Sequence, residues 1–167
     1  HLARDAAVER LMAQHPVLED VGARFAGAGF EVDLVGGSVR DAILGREVAA
    51  GDFATDARPE QMPRLLSGWA DAIWDVGARF GTIGAEKDGL RLEFTTYRSD
   101  RYEPDSRKPD VAYGGDLLSD LGRRDFTVNA MALRLPDRVF VDPFDGLLDL
   151  ALRRLRTPGA PARPGCS

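Results

Sequence analysis

The spacing of apolar and polar residues predicts alternating helices and strands along most of the chain. Apolar positions three and four residues apart predict two helices within residues 3–28, the second beginning at Pro16. Apolar residues that alternate with polar ones predict strands over residues 30–35, 52–55, 73–76, 82–86 and 90–97. Lys87-Asp88-Gly89 is predicted to join the last two strands as a hairpin turn.

Short helices and polar connections make up the rest of the prediction. The further helices cover residues 39–44, 59–66, 116–121, 127–133 and 147–155. Residues 99–115 are expected to form a mobile polar loop, and a turn at Pro136-Asp137 leads into a strand at 139–141. This order predicts an α/β (α+β) fold in which helices back a mixed sheet, with one domain over residues 1–156 and a disordered Pro/Gly tail over 157–167.

Composition narrows the class of protein. The 167 residues, 44% of them hydrophobic, are enough for one domain with its own core. Cys166 is the only cysteine, which excludes an internal disulfide framework and a multi-cysteine zinc site. Because no apolar run approaches the roughly 20 residues of a membrane span and no signal peptide is evident, we expect a cytoplasmic protein. A net charge of −5 disfavours nucleic-acid binding through bulk charge.

A strand that runs into two glycines and a hydroxyl residue is the first candidate for chemistry. Gly36 and Gly37 allow the backbone to approach a phosphate closely, and the N–H groups at the start of the next helix favour an anion. The hydroxyl of Ser38 can either cap that helix or bond a phosphate oxygen. A tight turn with a helix cap is the commoner alternative for these residues alone.

Acidic residues on two predicted strands are candidates for a metal site. Carboxylates two positions apart on a strand face the same side and can share a pair of magnesium ions. Asp52 lies on such a strand, but Ala50 stands two positions before it. Glu93 could complete the site or could equally be a solvated residue paired with Arg91. Alternation places Glu93 and Tyr97 on the same, polar face of their strand.

A basic stretch before the helix predicted at 127–133 is the last candidate. Arg123 and Arg124 precede Asp125, and Asn129 follows within the predicted helix. Arginine forks suit a triphosphate, whereas Asp and Asn suit ribose hydroxyls or a base edge. The alternative is an amphipathic helix capped by Asp125, with a solvated arginine pair.

In their order and spacing, these motifs resemble one family. The matching segments are Leu34-Val-Gly-Gly-Ser-Val-Arg-Asp-Ala-Ile-Leu-Gly-Arg46, Asp52-Phe-Ala-Thr-Asp56, Glu93-Phe-Thr-Thr-Tyr-Arg98, Arg123-Arg-Asp-Phe-Thr-Val-Asn-Ala-Met-Ala132 and Asp142-Pro-Phe-Asp-Gly146. Over residues 16–157 the chain resembles the head domain of class II tRNA nucleotidyltransferases (CCA-adding enzymes) and bacterial poly(A) polymerases, in the DNA polymerase beta superfamily. That family has a mixed, strongly curved sheet and transfers a nucleoside monophosphate from ATP or CTP to an RNA 3′ hydroxyl.

The resemblance implies a role for each matched residue. Asp52 and Glu93 would be catalytic and would bind metal, with two Mg²⁺ ions activating the attacking hydroxyl and stabilising the leaving pyrophosphate. The residues that would surround the triphosphate and the sugar of the nucleotide are Gly36, Gly37, Ser38, Arg40, Arg124, Asp125 and Asn129.

Two departures from the family pattern predict weak or absent catalysis. The family has Asp-x-Asp where this chain has Ala50-Gly51-Asp52, so the carboxylate that normally bridges both metals is missing. Asp33 and Asp56 are the close acidic residues, and neither matches the motif. The family also continues into helical neck, body and tail domains, which select the base and grip tRNA, whereas this chain ends soon after its last predicted helix.

The expected partners follow from these departures. We expect binding of ATP or CTP, weak binding of a tRNA 3′ end without the missing domains, and no binding of DNA or membrane. One alternative is a non-catalytic relative that binds nucleotides or associates with RNA. The other is a purely structural scaffold, which leaves the coincidence of glycine and arginine motifs unexplained.

Overall fold

The computed structural model describes residues 2–48, 50–77, 81–99, 112–113 and 116–159, which form a mixture of strands and helices. The strands are β1 (Val32–Val35), β2 (Ala50–Thr55), β3 (Ala72–Gly77), β4 (Thr82–Lys87), β5 (Leu90–Thr96), β6 (Arg98–Ser99), β7 (Ala112–Tyr113), β8 (Ala132–Leu135) and β9 (Val139–Val141). Seven of them form a mixed sheet in the order β3-β4-β5-β2-β1-β8-β9, in which β2 and β5 run parallel. Strands β6 and β7 form a separate antiparallel pair.

Helices pack against this sheet and begin at recognisable signals. They are α1 (Leu2–Gln14), α2 (Val17–Gly27), α3 (Gly37–Ile43), α4 (Met62–Leu66), α5 (Leu117–Gly122) and α6 (Gly146–Ala151). Pro16 precedes α2 with a φ of −57°, the angle its ring favours at a helix start. The Asp116 carboxylate accepts the Ser119 N–H at 2.8 Å and caps α5. No helix among the described residues combines the length and the apolar character needed to cross a membrane.

One face of the sheet carries the main apolar core. Leu92 and Phe94 of β5 point into it, and helices α1, α2 and α4 cover it. The ring of Phe94 stacks on Phe25 of α2 and on Phe53 of β2, with centroids 5.2 and 4.8 Å apart. The packing of these three buried rings holds α2 against the centre of the sheet.

The opposite face is covered over β1 and β8, where Leu117 and Leu121 of α5 pack. Over β2 and β5 it carries Asp52, which is exposed, and Glu93, which is half-buried. We call this the open face, defined as the sheet face that bears Asp52 and Glu93. Charged side chains are tolerated there because water still reaches them.

The predicted fold class is confirmed, and most element boundaries agree within two or three residues. The hairpin is also found: Lys87 pairs with Leu90, and Asp88 and Gly89 form a two-residue turn with φ angles of 52° and 78°. Helix α3 begins at Gly37, earlier than residue 39 as predicted, whereas β1 begins at Val32, later than residue 30.

The helix predicted over residues 127–133 is wrong. Thr127–Asn129 form one turn of 3₁₀ helix, and the residues after it enter β8. All four residues of β8 pair with β1, and three also pair with β9. The apolar run fits either element by its pattern, and the ladder bonds of a strand between two others decide for β. Asp125 therefore caps no α-helix, and its carboxylate instead accepts the Phe126 N–H at 2.8 Å.

The last helix is shorter than the predicted 147–155, because α6 ends at Ala151. Beyond it, Arg154 and Arg156 each donate from Nε to the buried carboxylate of Asp149, at 2.8 and 3.0 Å. These ion pairs hold the chain in a turn that a continued helix would not allow. Most of the predicted loop at 99–115, and the predicted tail beyond residue 159, lie outside the described residues.

Candidate functional site

Two carboxylates stand side by side on the open face. Asp52 of β2 is the register partner of Glu93 of β5 in the parallel ladder. Partners on neighbouring strands lie ~4.8 Å apart and point to the same face. The two acidic residues predicted for a metal site are therefore neighbours. Arg91, the alternative partner considered for Glu93, lies with its guanidinium over the ring of Trp74.

The glycine turn meets the arginine motif next to these carboxylates. Gly36 has φ 71° and ψ −138°, a conformation that glycine alone adopts readily. A Cβ on Gly36 would lie 2.9 Å from Nη1 of Arg124, so the missing side chain admits the guanidinium. Arg124 also donates from Nη2 to Asp120 at 3.3 Å, and its charge acts on Asp52. The turn, Arg124 and Asp52 thus border one space.

Ser38 ties the glycine turn to β2. Its hydroxyl donates to the carbonyl oxygen of Ala50 at 3.0 Å and accepts the N–H of Asp52 at 3.4 Å. The residue is buried, and its side chain makes no capping bond to α3. The helix-cap alternative for Ser38 is therefore wrong, because the hydroxyl points at the neighbouring strand. Ser38 fixes the backbone of Asp52 against the turn.

A chain of hydrogen bonds joins three further predicted residues. Arg40 donates from Nη1 to Oδ1 of Asn129 at 2.8 Å, and Asn129 donates from Nδ2 to Oδ1 of Asp125 at 3.1 Å. Nη2 of Arg40 lies 3.2 Å from where a Cβ on Gly37 would be. Because each side chain holds the next, Arg40, Asn129 and Asp125 are presented as one preorganised polar group beside the turn.

The two aspartates at the site have pKa values shifted in opposite directions. Burial of its carboxyl in the cleft raises the pKa of Asp52, and the charge of Arg124 offsets part of that effect. The hydrogen bond from Asn129, with that from the Phe126 backbone, lowers the pKa of Asp125. Asp52 is thus a carboxylate whose ionised form would gain from an added cation, whereas Asp125 is already stabilised.

A cleft of about 300 Å³ opens above Asp52. It is lined by Val35, Asp52, Phe53, Thr95, Arg98, Asp120, Arg123 and Arg124. Asp120 was not predicted as a site residue, yet its carboxylate accepts the backbone N–H of Arg98 at 3.3 Å and a bond from Arg124. It lies next to Leu121 on the buried side of α5. An acidic residue among the apolar positions of a helix is the signal that could have indicated it.

Neither nearby aspartate replaces the missing carboxylate. Asp33 is fully buried and accepts hydrogen bonds from the Tyr97 hydroxyl and, at 2.9 Å, from Nε of Arg134. Asp56 accepts the N–H of Glu31 at 2.8 Å. Tyr97 also departs from the prediction that it shares the polar face with Glu93. It is buried because β5 ends at residue 96, and burial raises the pKa of its phenol, as does Asp33.

The acidic residues present fit one cation better than two. Mg²⁺ is commonly held by one or two carboxylates together with substrate phosphates, which Asp52 and Glu93 match. Among the described residues, no group of three or more His, Cys, Asp or Glu side chains is placed to hold a metal ion.

Comparison with known proteins identifies the family of this chain. The family model of the poly A polymerase head domain matches residues 32–156. The chain belongs to the poly A polymerase head-domain family. The match includes the glycine turn, both carboxylates and the arginine motif, so the resemblance inferred from these motifs is confirmed.

CCA-adding enzymes are among the known proteins related to this chain in sequence. The chain is 40% identical over 154 residues to the CCA-adding enzyme of Levilactobacillus brevis, covering 92% of this chain and 36% of that enzyme. It is 43% identical over 148 residues to that of Streptococcus suis, covering 88% of this chain and 34% of that enzyme. The chain therefore spans about a third of the length of these relatives.

Solved structures agree with the sequence relatives. The Bacillus stearothermophilus CCA-adding enzyme in complex with CTP superposes with a TM-score of 0.69 at 33% identity, covering 84% of this chain and 32% of that one. A tRNA nucleotidyltransferase complexed with a primer tRNA and an incoming ATP analog gives 0.67 at 33% identity, covering 82% and 38%. Sheet and flanking helices are thus those of this family's head domains.

Proposed function

We propose that this head domain transfers AMP or CMP from ATP or CTP to the 3′ end of a tRNA. The placement of Asp52 beside Glu93 on the open face, below the Arg124 cleft, carries the proposal. Support comes from related enzymes solved with CTP and with a primer tRNA and an ATP analog. We further propose a cytoplasmic location and a domain that comprises residues 1–156.

The nucleotide would bind where the glycine turn meets the arginine motif. The Arg124 guanidinium would contact the triphosphate beside the glycine turn, because Gly36 has no side chain to stand between them. The N–H of Gly36 itself is bound to the carbonyl oxygen of Met131 at 3.3 Å. The linked side chains of Arg40, Asn129 and Asp125 would orient the sugar. The RNA 3′ hydroxyl would then attack the α-phosphorus while pyrophosphate leaves, and the chain would contribute position and charge rather than a covalent bond.

Asp52 and Glu93 would hold a divalent cation, Mg²⁺ in this proposal, together with the phosphates of the nucleotide. Such an ion, when bound, neutralises charge on the transferring phosphoryl group and favours ionisation of the attacking hydroxyl. We propose that catalysis is weak in this chain, because Ala50 supplies no carboxylate to bridge a second ion. The same alanine favours the second candidate function, a nucleotide-binding relative that does not transfer.

Calorimetric titration with ATP and CTP in the presence of magnesium tests nucleotide binding. Asp52→Asn and Glu93→Gln should each weaken binding by about tenfold or more, equivalent to about 1.4 kcal/mol. Asp137→Asn, an exposed carboxylate in the β8–β9 turn, is the matched control and should bind like the unaltered chain. No binding by the unaltered chain would contradict the proposed function.

A 3′-extension assay on tRNA that lacks its CCA end separates transfer from binding alone. The transferase predicts slow extension that Asp52→Asn abolishes and that Ala50→Asp accelerates. If neither the unaltered chain nor Ala50→Asp extends the tRNA, even when the missing domains are supplied, while nucleotide binding persists, the non-catalytic candidate is correct.

A further inference from the structure

The open face continues past the two carboxylates to the edge of the sheet. Along one row of cross-strand partners, Asp52 pairs with Glu93, Glu93 with Gly84, and Gly84 with Trp74 of the edge strand β3. Because cross-strand partners share a face, the side chain of Trp74 lies on the open face. Three strand spacings of ~4.8 Å place Trp74 about 14 Å from Asp52 along the sheet.

The indole of Trp74 packs closely against Gly84, which has no side chain to hold it away. A Cβ on Gly84 would lie 2.4 Å from Nε1 and 2.5 Å from Cε2 of the indole. The guanidinium of Arg91 lies over the same ring, with Cζ 5.4 Å from the centroid, and Arg91 is itself exposed. We call this pair, Trp74 with Arg91, the edge platform. It borders a shallow hollow lined by Ala72, Trp74, Glu86, Gly89 and Arg91.

Core packing does not account for the edge platform. Strand β3 has no fully buried residue, and Val76, also on the open face, is 48% exposed. An indole and a guanidinium on a part of the sheet face that no described helix covers are groups on which nucleic-acid bases stack.

We propose that the edge platform stacks a base of single-stranded RNA upstream of the 3′ end that Asp52 and Glu93 would serve. This inference rests on the proposed function: the edge platform lies on the same sheet face as Asp52 and Glu93, and RNA is the substrate proposed for those carboxylates. An RNA strand with stacked bases advances ~3.4 Å per nucleotide. The edge platform lies about 14 Å from Asp52 along the sheet. A base on the platform therefore belongs to a nucleotide upstream of the 3′-terminal one.

The charges around the edge platform favour contact with a base over contact with a phosphate alone. Glu86 is the register partner of Arg91, and Glu93 is two residues along the same strand. Two carboxylates beside one guanidinium lower its attraction for a phosphate, whereas stacking on a π-face does not depend on net charge. A base plane on Arg91 and Trp74 therefore fits these surroundings.

Anisotropy of a labelled, short single-stranded oligoadenylate tests the proposal. Trp74→Ala should weaken RNA binding about tenfold, since one base stack contributes that much affinity. Trp74→Phe keeps a ring and should retain most of the binding. Ile73→Ala is the matched control: Ile73 neighbours Trp74 on the other face of β3, and this variant should bind RNA like the unaltered chain. Thermal unfolding of each variant checks the fold.

Tryptophan fluorescence gives a second readout. The chain has two tryptophans, so Trp69→Phe leaves Trp74 as the reporter, and oligoadenylate should quench it saturably. Nucleotide titrations on the same variants separate the two proposals, because Trp74→Ala should leave binding of ATP with magnesium intact. If the unaltered chain does not bind ATP in the presence of magnesium, the proposed function is contradicted. RNA affinity that is equal in Trp74→Ala, or quenching by an unstructured peptide instead of RNA, overturns the edge platform alone.

Discussion

Asp33 and Asp52 lie on the same face of two neighbouring strands, and the fold uses their carboxylates in opposite ways. Asp33 is fully buried, and its oxygens accept bonds from Tyr97 and from Arg134. Asp52 is exposed at the cleft, beside the like-charged Glu93, with the charge of Arg124 nearby. Two residues of identical chemistry therefore have different partners within one sheet face.

The difference shows how a structural carboxylate can be told from a binding one. A buried carboxylate persists only if donors of the protein replace water, and those donors occupy its lone pairs. Asp33 therefore has little capacity left for a ligand. Asp52, set next to a second carboxylate, keeps lone pairs that a cation could use.

The largest expected effect is on stability at the buried position. Asp33→Ala should lower the free energy of unfolding by about 3 kcal/mol, because it removes the buried acceptor of the Tyr97 hydroxyl and of Arg134 and leaves them only the exposed carboxylate of Glu31. Asp52→Asn should change it by less than ~0.5 kcal/mol, as for an exposed side chain. Urea denaturation of both variants measures this contrast. Equal losses in the two would show that Asp52 is also structural.

A second buried carboxylate extends the comparison to pH. Burial acts to raise the pKa of Asp149, but bonds from Thr127, Arg154 and Arg156 outweigh it and lower the pKa. Its contribution to stability is therefore present above the unfolded pKa of ~3.9 and is lost as pH falls through the lower folded pKa. Asp149→Asn should cost about 2 kcal/mol at neutral pH.

Unfolding free energies measured from neutral pH down into the acid range check this expectation. The unaltered chain should lose stability on acidification below ~pH 4, and Asp149→Asn should show a shallower loss over the same range. A variant with the same acid profile as the unaltered chain would show that Asp149 is not a structural carboxylate of the Asp33 kind.

At the open site, the backbone of the glycine turn should matter for binding and for stability together. Gly36→Ala forces a Cβ into a conformation that costs about 1–2 kcal/mol and against the guanidinium of Arg124. Nucleotide affinity should fall several-fold more than in Gly45→Ala. Gly45 also has a positive φ, of 75°, but with open space around it. Equal nucleotide affinities in Gly36→Ala and Gly45→Ala would mean that backbone strain, and not the contact with Arg124, accounts for the loss of affinity.

The smallest effect is expected at an exposed carboxylate with one backbone partner. Asp116→Ala removes the cap of α5 and should cost about 1 kcal/mol. Asp116→Asn can still accept the Ser119 N–H and should cost less. Thermal unfolding measures both, and a cost as large as that of Asp33→Ala would remove the contrast between exposed and buried carboxylates.

Most of the fold and part of the site could be predicted from the sequence. The hairpin at Asp88 and Gly89 has a strong local signal, because two residues with positive φ close it. The convergence of Gly36 with Arg124 depended on recognising distant motifs in register. Asp120 was missed: its place among the apolar positions of α5 is a local signal of burial, but its contacts with Arg98 and Arg124 are made far along the chain or in the folded cleft.

The sequence by itself determined where most strands and helices begin to within two or three residues, which residues are apolar and which segments carry acidic, basic and glycine motifs. These properties depend on near neighbours along the chain, through period, turn chemistry and caps. Only the tertiary structure decided that residues after Asn129 form a strand, that Asp33 is occupied while Asp52 is open, and that Trp74 shares their face. Each of these depends on partners far away in sequence, because ladder pairing and replacement of water by donors are long-range events.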